Sequence, residues 1–108
     1  MEANEKAALY NEVMATLGYT TQVHKAIEEM AELTDVLMKN FHGRAKPEQI
    51  ITEIADVVIC MEELALHFGV KEVYAEKERK IQRLAERLKE YKDKLTADDN
   101  AAPSDSPS

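Results

Sequence analysis

The sequence is poor in the residues that build sheets, covalent staples and tight turns. It has no tryptophan, two phenylalanines, one cysteine, three glycines and three prolines in 108 residues. A β-rich domain needs more turn residues than this, so an all-helical chain is expected. A single cysteine, Cys60, allows neither a disulfide framework nor a cysteine-based zinc site, and it suits a reducing compartment. Basic residues are in the minority, 14 Lys and Arg against 21 Asp and Glu, a formal net charge of −7. That balance works against binding a phosphate backbone, and no nucleic-acid partner is expected. No apolar run approaches the roughly 20 residues of a membrane span. The N-terminal MEANEKAALYNEV lacks the basic-then-apolar order of a signal peptide, so the expected setting is the cytoplasm with no membrane partner.

What is present is helical pattern. Hydrophobic residues make up 44% and charged residues 32%, and the length allows one domain, expected over 1–95. Leu9, Val13 and Leu17 recur at helical spacing in a first helix from about Asn4 to Leu17, which Gly18 ends. Thr20 or Thr21 is expected to cap a second helix running to Phe41, striped by Val23, Ile27, Met30, Thr34, Leu37 and Phe41. After the turn residues from His42 to Lys46, Pro47 opens a third helix to Phe68, and a fourth runs from about Lys71 to Leu95. The short link implies that the second and third helices are antiparallel. The third carries Ile50, Ile54, Val57, Met61 and Leu64 on one face and Ile59 and Leu66 on nearly the opposite one, which in so small a chain points to a partner subunit. The expected architecture is an antiparallel bundle of about four helices completed by oligomerisation. The segment 96–108, rich in Ser, Pro, Asp and Ala, reads as a disordered acidic tail.

Two acidic steps stand out: Glu29-Met30-Ala31-Glu32 on the second helix and Glu53-Ile54-Ala55-Asp56 on the third. Residues three apart on a helix lie about 60° from each other, so each step presents two carboxylates together. Taken singly, a Glu-x-x-Glu step is an ordinary solvated helix face. Here both steps border an apolar stripe, where uncompensated acids destabilise. At about 100° per residue, Gln22, Lys25, Glu29, Glu32, Val36 and Lys39 share one flank of the second helix, and Glu53, Asp56, Cys60 and Glu63 one flank of the third. If the flanks face each other, Glu29, Glu32, Glu53 and Asp56 converge as oxygen-only ligands suited to Mg²⁺ or Mn²⁺. A di-iron bundle would need Glu-x-x-His steps, and none of His24, His42 and His67 has an acid three residues before it.

The order Gln22, Glu28-Glu29-Met30-Ala31-Glu32-Leu33, a linker of twenty residues, then Glu53-Ile54-Ala55-Asp56-Val57 resembles the MazG-like all-α nucleoside triphosphate pyrophosphohydrolases. Lys80-Ile81-Gln82-Arg83-Leu84 resembles the basic segment that follows in that family, and the resemblance spans Gly18 to Leu88. Where many relatives have Lys-x-x-x-Asn-x-x-Arg, counting from Lys77 this chain has Ile81 and Leu84. The resemblance implies a homodimer or homotetramer that holds Mg²⁺ on the two acidic steps and splits a nucleoside triphosphate into monophosphate and pyrophosphate. In that reading Glu29 or Glu53 is the general base, and Gln22, Lys39, Lys80 and Arg83 bind substrate; the alternatives are an ordinary first-turn polar residue for Gln22, a salt bridge to Asp35 for Lys39 and a solvated basic flank for Lys80 and Arg83. Val36, Phe41 or a partner subunit supplies the slot for the base. A related branch, the phosphoribosyl-ATP pyrophosphatases, shares the acidic core. A non-catalytic helical interaction module is the alternative from a different class, compatible with the charged, amphipathic fourth helix.

Overall fold

The computed structural model describes residues 1–98, and the expected tail from residue 99 onward lies outside the described residues. Among the described residues the chain is all-α, with four helices and no strand: α1 (Ala3–Leu17), α2 (Tyr19–Phe41), α3 (Pro47–Phe68) and α4 (Val70–Ala97). The described residues divide into two units, Met1–Val70 and the residues from Lys71 onward.

In the first unit, α2 and α3 make the principal contact, and α1 touches both. Helix α1 starts where Glu5 returns its carboxylate to the Glu2 N–H (3.4 Å), satisfying a donor that has no intrahelical partner. Gly18 ends α1 and opens α2 at φ 93°, ψ 152°, a conformation open almost only to glycine, and its N–H closes on the Met14 carbonyl (2.9 Å). The expected threonine cap is therefore wrong. Gly18 is the N-cap with no side-chain bond, and Thr20 and Thr21 already lie within α2, because the glycine completes the change of direction in one residue. The link 42–46 is tied by Asn40 Nδ2 donating to the Ala45 carbonyl (3.0 Å) and by Arg44 N–H donating to the Lys39 carbonyl (2.7 Å). Pro47 occupies the first turn of α3, where its missing N–H and fixed φ do no harm. Gln49 Oε1 accepts from the Lys46 N–H (2.8 Å) at the same end.

The packing is sparse. Among the described residues the buried ones are Ala26, Cys60, Gln22 and Glu63, and no large side chain is fully buried. Ile27, Leu37 and Phe41 on α2 and Ile51, Ile54, Val58 and Ile59 on α3 all remain exposed. The first unit therefore presents far more apolar surface than a bundle of its length normally leaves in water.

The second unit is the helix from Lys71. Thr96 Oγ1 donates to the Lys92 carbonyl (3.0 Å), and α4 continues through Ala97, two residues into the segment read as tail. Its surface is laced by local charge pairs: Arg79 Nε donates to Glu76 Oε2 (3.1 Å) and its Nη2 to Oε1, and Lys77 lies 5.3 Å from the Tyr74 ring. Val73, Ile81, Leu84 and Leu88 form an exposed apolar line along it.

Candidate metal centre

Helical periodicity places Glu29 on α2 and Glu53 and Asp56 on α3 along the contact between the two helices. One carboxylate oxygen from each lies within 4.8 Å of the others, and all three residues are half-buried. The Glu29 side chain keeps 14% of its exposure, and its Oε1 lies 3.7 Å from Lys25 Nζ. Its other oxygen, Oε2, is buried without a hydrogen-bond partner, and so is Glu53 Oε2. An ionised carboxylate oxygen in that condition is expensive to keep, because it has given up water and received nothing in return.

The electrostatics follow from this crowding. Burial, then the neighbouring Glu32 and Asp56 carboxylates, push the Glu29 carboxyl above its ordinary range, with Lys25 opposing. Glu32 thus lies beside Glu29, but it is exposed and does not belong to the three-oxygen group. The structure brings together three of the four expected ligands.

One to two turns along the same seam stand Cys60 and Glu63. Burial raises the Cys60 thiol, aided by the Glu63 and Glu29 charges, and burial raises Glu63 while the Lys25 ammonium lowers it. Lys25 is therefore shared electrostatically by Glu29, Cys60 and Glu63. Gln22 is buried to 5% exposure on the α2 side. The two polar flanks of α2 and α3 thus face each other.

Of the other expected substrate residues, Lys39 and Phe41 lie on the exposed surface of α2. Lys39 pairs with Asp35 (2.8 Å) on the exposed surface, the plain i,i+4 arrangement of a solvated helix. Phe41 is 82% exposed, edge-on to His42 at 5.4 Å. On α4, Lys80 is exposed and 3.9 Å from Glu76, and Arg83 is exposed.

An aromatic group that periodicity does not single out closes the end of the seam. Tyr19 stacks on His67 with ring centroids 4.8 Å apart, and Phe68 meets Tyr19 edge-on at 6.0 Å and His67 at 5.1 Å. The only sequence signal is their position beside Gly18 and Gly69, where two helix ends of an antiparallel pair come together.

No family model, no curated protein and no solved structure matches this chain.

Proposed function

We propose that the chain is a Mg²⁺-dependent nucleoside triphosphate pyrophosphohydrolase of the MazG-like kind. The observation that carries this reading is the pair of buried, unpartnered oxygens, Glu29 Oε2 and Glu53 Oε2, in a group of three carboxylates on two packed helices. The donor set is all oxygen and leaves positions open, which fits Mg²⁺ or Mn²⁺ and fits softer metals poorly. Glu29, Glu53 and Asp56 would hold the ion, with Glu32 available beside Glu29. When bound, such an ion neutralises charge on the phosphate oxygens.

The chain's own residues do the rest. Glu29 or Glu53 orients a water and takes its proton as the water oxygen bonds to phosphorus. The P–O bond between the α and β phosphates breaks, and pyrophosphate leaves with the bridging oxygen and its electron pair. Lys25 and Gln22 lie on the same flank of α2 and serve the substrate there, whereas Lys39 is engaged by Asp35. The Lys80 and Arg83 role rests on the resemblance alone.

The exposed Ile54, Val58 and Ile59 on α3 and the Ile27 and Leu37 surface on α2 support a homodimer or homotetramer, since burial of such surface is the main drive for association. Light scattering on the purified chain checks this, and a monomeric mass would remove it. The exposed apolar line of α4 favours a second reading, a helical interaction module without catalysis.

The deciding experiment is a panel of canonical and modified nucleoside triphosphates with Mg²⁺, together with phosphoribosyl-ATP. Monophosphate plus pyrophosphate is expected, and orthophosphate as the sole product would contradict the bond choice. Asp56→Asn should lower kcat by at least about 100-fold with the fold intact. Unchanged turnover would take Asp56 out of the site.

A further inference from the structure

Gln22 and Glu63 are the two polar residues among the four that the described chain buries, retaining 5% and 9% exposure. Glu29 and Asp56 lie close enough to act on each other's charge, and α3 runs back along α2, so Gln22 and Glu63 fall opposite one another in the same register. Neither side chain makes a hydrogen bond with another described residue. The Lys25 ammonium acts on the Glu63 carboxylate, whose charge in turn acts on Cys60 and Tyr10. The oxygens buried without a partner are those of Glu29 and Glu53, so the polar atoms of Gln22 and Glu63 still reach the surface and are open to the hydrogen-bonding groups of a ligand.

Immediately outward is the aromatic group. Tyr19 precedes Gln22 by three residues and His67 follows Glu63 by four, so each ring lies on the same flank as the polar side chain one turn away. Tyr19 is 44% exposed and Phe68 64%, which leaves the ring surfaces reachable. In the other direction, seven residues of helix, about 10 Å, separate Glu63 from Asp56. That is comparable with the reach of an extended nucleotide from the edge of its base to its first phosphate.

We propose that Tyr19, His67, Gln22 and Glu63 form the nucleobase end of the substrate site and select bases that carry an exocyclic amine. The inference rests on the hydrolase reading for its phosphate end. Aromatic faces stack any base and give affinity without selectivity. Selectivity comes from the buried pair. Glu63, beside Lys25, offers acceptor oxygens, to which the amino group of adenine, cytosine or guanine donates. Gln22 supplies both a donor and an acceptor for the neighbouring positions of the base edge. Uracil and thymine present a carbonyl where the amine would be, and two acceptors then face each other in a buried site.

The test compares kcat/KM for dATP, dCTP, dGTP and dTTP in the unmodified protein, in the isosteric Glu63→Gln variant and in His67→Ala, an exposed position. The amine-bearing substrates should be preferred over dTTP by about tenfold or more, the factor set by one made against one opposed hydrogen bond. Glu63→Gln should bring that ratio close to one, because an amide can both donate and accept. His67→Ala should raise KM for every substrate alike while sparing kcat. A ratio unchanged by Glu63→Gln, or KM values unchanged by His67→Ala, overturns the proposal. Should no triphosphate be turned over, calorimetric binding of dCMP against dTMP decides separately. Selective binding lost in Glu63→Gln keeps the base subsite and discards only the hydrolase, whereas equal or absent binding discards the subsite. Circular dichroism of each variant against the unmodified chain guards against loss of fold, and Gln22→Glu, which sets two acids opposite each other, should abolish the same preference.

Discussion

Glu29 and Glu53, on two helices that run side by side, each bury a carboxylate oxygen that no donor meets. Two like charges held in this way repel each other and have lost water, so the site is stabilised by whatever cation enters it.

A divalent cation should therefore raise the melting temperature. At a free concentration one hundred times the Kd, binding to the folded state alone contributes about 2.7 kcal/mol, which for a domain of this size is a shift of several degrees. Thermal denaturation in MgCl₂ or MnCl₂ against NaCl of equal ionic strength measures it. The shift should vanish in Glu53→Gln, and an equal shift in that variant would place the ion elsewhere.

The pH dependence has a definite sign. The Glu29 carboxyl is pushed up by burial and then by Glu32 and Asp56. A carboxyl raised in the folded state contributes stability below its unfolded pKa of about 4.3, and that contribution is lost as pH rises through the folded value. Without divalent cations, Glu29→Gln should melt close to the unmodified protein at the acid end and above it near neutrality. Melting curves from pH 4 to 8 in chelator measure the gap, and a gap that does not widen with pH contradicts this account of Glu29.

A different tie holds α1 to α3. Tyr10 donates its hydroxyl to Glu62 Oε1 across 2.7 Å, which is the main reason, ahead of burial, that its pKa is pushed up to about 12. Tyr10→Phe should lower stability by about 1.5–3 kcal/mol, the range for a hydrogen bond to a charged acceptor. Because the folded pKa lies above the unfolded value of about 10, this contribution is complete below that pH and disappears as pH rises toward 12. Denaturant titrations at pH 8 and pH 11 should show the two proteins converging at the higher pH.

Gly18 gives a prediction that depends on backbone and not on space. A methyl group there would meet nothing within 4 Å, yet φ is 93°. Gly18→Ala should destabilise by about 1–3 kcal/mol through conformational strain alone. Urea unfolding checks this, and a neutral or stabilising result would mean that α1 and α2 meet at a different angle.

Much of the fold was legible from spacing. The ends of α1 and α3 were readable because Gly18 and Gly69 punctuate a 3.6-residue apolar period, and the start of α3 because Pro47 fits only a first turn. The α2 cap was misread because Thr20 and Thr21 carry capping chemistry, while a glycine that reverses the chain in one step leaves them inside the helix. At the site, periodicity grouped Glu29 with Glu32, but the register of α3 chooses Glu29 to meet Glu53 and Asp56 and leaves Glu32 at the margin. Lys39 shared the same flank, and of its two readings the salt bridge to Asp35, legible from the i,i+4 spacing, is the one the structure shows.

The sequence by itself determined the helices, their breaks and the polar flanks that border each apolar stripe, because these depend on neighbours within one turn. Only the tertiary structure decided which carboxylates share a space, that Gln22 and Glu63 are both buried, and that Tyr19 reaches His67. Those relations join residues more than twenty positions apart. They depend on how far one helix slides along the other, a variable to which a periodic pattern is blind, since sliding by a turn preserves the same faces.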